Sequence, residues 1–300
     1  MKRVLQTIIS EFVFDDQCNI KQIYHNAWDI NNEYVLKKSD NKAGIAKSIE
    51  LCEKLLKKNT PVVEYMKTMT GETYVSDGDD CYCLMRKMKG EHLDPYKGNC
   101  SENGQLLGGI VADLHLALQH ITLKAEVYDS DYMKELTDWI TPEVEQKHIN
   151  FLDGIMDACF DFYEIYKALP RQLIHRDMHL GNLLFNEGKF SGYLDFDISQ
   201  INVRLLDICY LGASMLVGNY RNENRLRLWR ELFSGVLTGY EQKSPLTENE
   251  KKAIPMMFVL IEVIFTVFFS KAGHAETAQN CADMTNWLYE NMVFEDMLQL

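Results

Sequence analysis

The chain is short of positive charge. Its 300 residues carry 31 Lys and Arg against 44 Asp and Glu, a formal net charge of −13. A nucleic-acid partner calls for a basic footprint, and an anionic membrane surface attracts basic segments. We therefore expect neither nucleic acid nor membrane among its partners. The acidic balance suits a cationic substrate, although an acidic surface more often serves solubility. Zinc-finger spacing is also lacking. Of the eight cysteines only Cys81 and Cys83 are close together, and no second pair stands at ligand spacing. Several sit in apolar helical or strand patterns, where a free thiol acts as a small hydrophobe, so the expectation is a reduced, cytoplasmic protein. Residues 1–5 do not read as a signal peptide, because Ser10, Glu11, Asp15 and Asp16 soon interrupt the apolar positions. One apolar run, residues 254–270, approaches membrane-spanning length. It contains Pro255, Glu262 and Thr266 and reads as a buried helix. Repeats and low-complexity tracts are absent.

What is present is an ordinary apolar fraction of 46%, enough for a sizeable core. Residues 4–13 show near-helical apolar spacing. Strand signals follow at residues 20–24, 27–30 and 33–37. Residues 41–58 place Ile45, Ile49, Cys52, Leu55 and Leu56 at helical spacing. Further strands are expected at residues 62–66, 72–75 and 82–88. Beyond Gly90 the pattern turns helical, with helices expected at residues 108–119, 145–169, 204–217, 223–240, 247–270 and 276–291. Thr247-Glu248-Asn249-Glu250 has the form of a capping box. The expected organisation is α+β. A small antiparallel lobe with one inserted helix spans residues 1–88, and a larger, mainly helical lobe spans residues 89–300.

One polar loop interrupts the helical half. Ile174-His175-Arg176-Asp177-Met178-His179-Leu180-Gly181-Asn182-Leu183-Leu184-Phe185 is followed, after the turn-like Asn186-Glu187-Gly188-Lys189, by Gly192-Tyr193-Leu194-Asp195-Phe196-Asp197. The returning hairpin would bring Asp195 back beside Asn182. An Asp two places after a His, an Asn five places further and an Asp at a strand end is the layout of a kinase catalytic loop and its metal site. Asp177 is placed to accept the proton of an attacking hydroxyl. Asn182 and Asp195 are the candidate ligands of Mg²⁺ on nucleotide phosphates.

The other parts of such a site have candidates. Lys37, two positions after Val35, is the cation for the phosphates, and Lys38 faces the other way. Glu50 and Glu53, one turn apart on the inserted helix, could each steady Lys37; Glu50 is preferred because it follows the apolar Ile49 near mid-helix. The nucleotide base would lie against Leu84-Met85-Arg86-Lys87-Met88, with Met85, Lys87 and Met88 as candidates on position alone. Gly-x-Gly-x-x-Gly is missing from the first strands, where Tyr24-His25-Asn26-Ala27-Trp28 stands instead. Asp207 opens an apolar helix and could brace the loop. His115, on an apolar helical face, reads as a core histidine. Glu262 is the one charge within residues 256–269. It is either an anchor for a cationic substrate group or a residue that faces solvent or meets a neighbouring Lys or Arg.

With these residues the chain resembles the aminoglycoside phosphotransferase and choline kinase-like superfamily. Residues 175–182 are similar to that family's His-Gly-Asp-Leu-His-Pro-Gly-Asn loop, and residues 192–197 to its Gly-x-Ile-Asp-Phe-Asp strand. Asp207 matches the Asp of its later Asp-Leu-Ala segment, and Leu114-His115 its earlier Leu-His helix. The resemblance implies a bilobal protein kinase-like fold and an ATP- and Mg²⁺-dependent transfer of a phosphoryl group to a hydroxyl of a small molecule. The resemblance admits acceptors of several kinds: aminoglycoside, sugar, amino alcohol or homoserine-like. The alternative is a non-catalytic nucleotide-binding or structural, spore-coat-like relative, against which the intact Asp177, Asn182 and Asp195 argue. Arg176 and Leu180 depart from the family's Gly and Pro. Asp-Phe-Gly and Ala-Pro-Glu are absent, and the stretch from Asp197 to Asp207 is too short for a peptide-binding segment, which disfavours a protein substrate.

Overall fold

The computed structural model describes residues 2–12 and 18–291, with no side-chain description for residues 2 and 3; Val13, at the end of the expected first helix, lies outside the described residues. In chain order the elements begin with α1 (Lys2–Ser10), β1 (Ile20–Tyr24), β2 (Ala27–Ile30), β3 (Tyr34–Ser39), α2 (Lys42–Lys57), β4 (Val75–Asp77) and β5 (Asp80–Arg86). The middle of the chain holds α3 (Cys100–Leu118), α4 (Tyr132–Glu135), a π-helical turn, α5 (Thr141–Lys147), α6 (Ile155–Asp161), α7 (Tyr163–Tyr166), β6 (Arg171–Ile174), β7 (Leu183–Asn186) and β8 (Lys189–Tyr193). It closes with β9 (Gln200–Val203), α8 (Leu205–Leu216), α9 (Glu223–Glu241), α10 (Glu248–Lys271) and α11 (Ala275–Asn291). Two compact units result. The first comprises Met1–Leu93, His120–Val127 and Gly181–Ser199, and the second comprises the remainder. A small antiparallel sheet with its helix and a larger helical unit make this an α+β protein kinase-like fold.

In the first unit the sheet order is β1-β2-β3-β5-β4, antiparallel throughout. Side chains alternate across it. Trp28, Ile30, Leu36, Tyr82 and Leu84 bury one face under Leu5, Ile8, Ile9 and Phe12 of the α1 region. Cys81 and Cys83 meet Ile45 and Ile49 of α2 on the other. Lys37 pairs opposite Cys83, and directly opposed residues share a face, so Lys37 emerges on the α2 side. Asn41 caps α2 by accepting from Gly44 N at 2.8 Å. Residues 62–66 form no strand of the sheet. They run beside it, with isolated bridges from Tyr65 to Met85 of β5 and from Val62 to Tyr193 of β8. The hairpin of β7 and β8 completes this unit.

The second unit is built around α3 and α9. Gly104 and Gly108 of α3 face Gly235 and Gly239 of α9, and a Cβ at any of them would overlap backbone of the opposite helix. Two Gly-x-x-x-Gly faces thus set the close approach of this pair. The capping box forms: Thr247 Oγ1 accepts from Glu250 N at 3.2 Å, and Glu250 Oε2 accepts from Thr247 N at 2.8 Å. Glu250 also binds Arg204 through two N–H donors, at 2.7 and 2.9 Å, tying the start of α8 to the start of α10. The long apolar helix α10 is the one helix among the described residues long and apolar enough to cross a membrane, and 67% of its apolar window is buried within the protein. The helix expected over residues 145–169 is broken instead. His148 (φ 50°) and Gly154 (φ 88°) sit in the left-handed region and separate α5 from α6, and α7 follows α6 after Phe162.

Candidate active site

The polar loop follows β6 and lies within the second unit up to Leu180. Its frame is a single buried carboxylate. Asp207, on the first turn of α8, accepts from His175 N at 2.8 Å with Oδ2 and from Arg176 N at 2.8 Å with Oδ1. His115 Nε2 lies 3.1 Å from Oδ2, and its Nδ1 lies 2.9 Å from the Tyr240 hydroxyl. His115 is therefore the core histidine expected, and it also steadies the brace. Arg176 holds φ 76°, a conformation that favours glycine, the residue the resembling loop carries there. Replacing Asp207 by Ala should strand two backbone N–H groups in the core. We expect a loss of about 2–4 kcal/mol in unfolding free energy, read from a shifted urea midpoint. An unchanged midpoint would remove Asp207 from the frame.

Asp177 is held on three sides. Its own N–H donates to His175 Nδ1 at 3.2 Å, Oδ1 accepts from the Tyr210 hydroxyl at 2.9 Å, and Oδ2 lies 3.6 Å from His179 Nε2. Burial opposes its charge. His179, Tyr210 and His175 outweigh burial and keep the carboxyl well below the usual range. It is an ionised acceptor at any ordinary pH. The sequence reading did not assign Tyr210 a role; it stands three residues after Asp207 and so shares that helix face.

In the first unit the hairpin sets the remaining polar groups. Leu183 pairs with Tyr193, and Leu194 N donates to Asn182 O at 2.9 Å, so Asn182 and Asp195 stand on adjacent backbone. Asp195 holds φ 59°, an unusual conformation for a residue with a Cβ. Lys37 Nζ donates to Asp195 Oδ1 and Asp197 Oδ2, both at 2.8 Å. Burial works against the charge on Lys37, but Asp197 and Asp195 raise its pKa above the ordinary value. Lys38 points away and pairs with Asp80 at 2.7 Å.

Glu50 is not brought to Lys37. Its carboxylate accepts from Lys124 N at 2.9 and 3.0 Å and from Ala125 N at 2.9 Å, with Lys54 at 3.4 Å. Glu53 is exposed. Of the base-side candidates, Met85 lies in β5 opposite Val35. Lys87 Nζ donates to Asp29 Oδ2 at 2.5 Å and Asn32 Oδ1 at 2.6 Å, while its N–H goes to Glu33 O at 2.8 Å. Met88 packs over Gly192, where a Cβ would overlap its Cε. Glu262 neither faces solvent nor meets a lysine or arginine among the described residues. It is 2% exposed, and burial pushes its pKa up to about 8 despite a hydrogen bond with Cys281.

No group of three or more His, Cys, Asp or Glu side chains able to hold a metal occurs among the described residues. The donors at hand are the Asp195 carboxylate, 42% exposed, and the amide of Asn182. Such a set fits Mg²⁺, which is commonly held by one or two carboxylates together with substrate phosphates and water.

A protein kinase-like fold carrying a braced His-x-Asp loop, an Asn-Asp pair and a strand lysine defines a phosphotransfer class. The phosphotransferase enzyme family (APH) matches residues 22–246, and the chain belongs to that family. It is similar to the homoserine kinase of Neisseria meningitidis serogroup B, at 26% identity over 58% of this chain and 54% of that protein. The chain spans from about a quarter to about two thirds of the length of the curated relatives it matches. Among solved structures it is similar to a microcompartment-associated aminopropanol kinase (TM-score 0.73, 16% identity, 100% and 99% of the two chains covered). It is also similar to the amicoumacin kinase hAmiN, solved in complex with AMP-PNP, Ca²⁺ and Ami (TM-score 0.72, 16% identity, 95% and 93% covered).

Proposed function

We propose that this protein is an ATP- and Mg²⁺-dependent kinase that moves a phosphoryl group to a hydroxyl of a small molecule. The observation that carries the reading is Asp177, ionised and fixed on a loop whose backbone N–H groups are bound by buried Asp207. In this reading residues 1–88 form the nucleotide lobe and residues 89–300 the substrate lobe. Asp177 orients the acceptor hydroxyl and takes its proton as the bond to phosphorus forms. Lys37 neutralises phosphate oxygens. Asn182 and Asp195 would hold Mg²⁺, whose charge, when bound, stabilises the phosphates during transfer. The N–H of Lys87 is already used, so the base edge falls to the backbone of Met88, beside Met85. All eight cysteines are free thiols, which supports a reducing, cytoplasmic setting.

Two of the relatives are named for homoserine and aminopropanol, which both carry an amine near a hydroxyl, and the proposed substrate class is a small amino alcohol of that kind. An ADP-release assay over amino alcohols, homoserine, sugars and aminoglycosides tests this. Acceptor-dependent ADP release is expected with an amine-bearing compound; none with any acceptor, despite nucleotide binding, would favour a non-catalytic relative. Asp195→Asn should raise the Mg²⁺ concentration for half-activation and lower kcat. An unchanged Mg²⁺ titration would reject Asp195 as a ligand.

A further inference from the structure

The cation on β3 has an unexpected set of neighbours. Lys37 Nζ is shared equally between Asp195 and Asp197. Of the two carboxylates, Asp197 is the more enclosed, with a side chain 13% exposed against 42% for Asp195. The helix that should supply the partner supplies none. Glu50 is spent on the backbone of residues 124 and 125, and Glu53 faces outward. The inner face of α2 instead carries Gly44, Lys47 and Ser48, all buried.

That face grips the segment containing Asp197. Buried Lys47 donates from Nζ to Ser199 O, and a Cβ at Gly44 would lie 2.9 Å from Asp197 O. Ser48 Oγ lies 2.9 Å from the Tyr65 hydroxyl. Helix α2 thus holds the backbone of residues 197–199, and the Asp197 carboxylate in turn holds Lys37. The left-handed turn at Asp195 (φ 59°) ends the extended run of β8, and beyond it both Asp195 and Asp197 reach one ammonium.

We propose that Asp197, and not a carboxylate of α2, is the positioning residue for Lys37. Asp195 is thereby freed to serve the metal while Lys37 keeps a counter-ion. The role of α2 shifts from direct partner to clamp, acting through Lys47 on the segment that bears Asp197. This inference rests on the kinase reading for its functional consequence, but its structural content can be measured without it.

Two readouts test it. Lysine acetylation of the native protein, followed by peptide mass spectrometry, reports the exposure of Lys37 directly. Asp197→Asn should raise the labelling rate of Lys37 several-fold, while Glu50→Gln should leave it unchanged. The reverse order, or no change with Asp197→Asn, would overturn the proposal whether or not the protein is a kinase. The second readout is a double-mutant cycle on the dissociation constant of a non-hydrolysable ATP analogue. Asp197→Asn alone should weaken binding roughly 10-fold, and should add nothing in a Lys37→Met background, because both act through the same ammonium. Additive losses would mean that Asp197 meets the nucleotide or its metal independently, and would overturn it. Failure of the wild-type protein to bind the analogue, with the labelling result intact, would count against the kinase reading and leave the Lys37–Asp197 assignment standing. Circular dichroism of each variant separates these outcomes from unfolding.

Discussion

Asp177→Ala should lower kcat by about 10²–10⁴, the usual contribution of a positioned base, and leave nucleotide affinity unchanged. The expected size follows from how the carboxylate is held. Asp177 is ionised throughout the physiological range because His179, Tyr210 and His175 outweigh the burial that would neutralise it. It therefore acts first as a fixed acceptor that aligns the hydroxyl and takes the proton late, as the new bond forms. Its own ionisation should contribute no acid limb to the rate profile near neutral pH. Asp177→Asn keeps the shape and the contact with Tyr210 but loses the charge, so it should be nearly as damaging as Ala. Tyr210→Phe leaves the charge and removes only one donor, and should cost far less. Near-wild-type turnover of Asp177→Ala on an accepted substrate would show that the base lies elsewhere. A parallel fall in nucleotide affinity would point to loop collapse.

Much of this arrangement is legible in the sequence because it is local. The fixed spacings around residues 175–182 and 192–197 make a loop and a hairpin, and the hairpin register alone sets Asn182 beside Asp195. Strands β1, β2, β3 and β5 and the inserted helix follow from alternation and helical spacing, whereas residues 62–66 alternate yet join no strand of the sheet and β4 falls at Val75–Asp77 rather than over residues 72–75. What sequence reasoning missed depends on contacts distant in the chain. Glu50 looked like the partner of Lys37 by position on α2, yet it satisfies two backbone N–H groups near residue 124, more than seventy residues away, and nothing in the local pattern announces that loop. Asp197 stands only two residues beyond Asp195, but the left-handed backbone at Asp195 that turns both carboxylates to Lys37 leaves no mark in the apolar pattern. The helical pattern over residues 145–169 was misleading because apolar spacing does not register a single left-handed residue such as His148. The Gly-x-x-x-Gly faces of α3 and α9 were visible as glycines but not as partners.

The position of Glu262 leads to the second large effect, on stability rather than turnover. Glu262 lies inside α10 with almost no exposure, and its Oε2 accepts no hydrogen bond. A buried carboxylate without a counter-ion is costly to ionise. Burial accordingly lifts its pKa from the ordinary 4.5 to about 8. At neutral pH it is mainly the neutral acid, so it is a hydrogen-bonding group in this core rather than a standing anion for a cationic substrate. Between pH 4.5 and about 8 the folded chain keeps a proton that the unfolded chain has released. The contribution to stability is complete below pH 4.5 and falls as the pH rises, by ~1.4 kcal/mol per unit, until it levels off above the folded pKa. The whole window amounts to about 4–5 kcal/mol. Glutamine is neutral at every pH and nearly isosteric. Glu262→Gln should therefore match the wild type near pH 4.5 and exceed it progressively, approaching that full difference by about pH 8.5. The neighbouring Cys281 thiol, pushed up to about 12 by burial and by Glu262, stays protonated across this range and does not obscure the comparison. Urea midpoints of the two proteins at several pH values provide the measurement. A difference that stayed constant with pH would mean that Glu262 is ionised in the fold, with a counter-ion at its side, and the assignment of a buried neutral acid would fail.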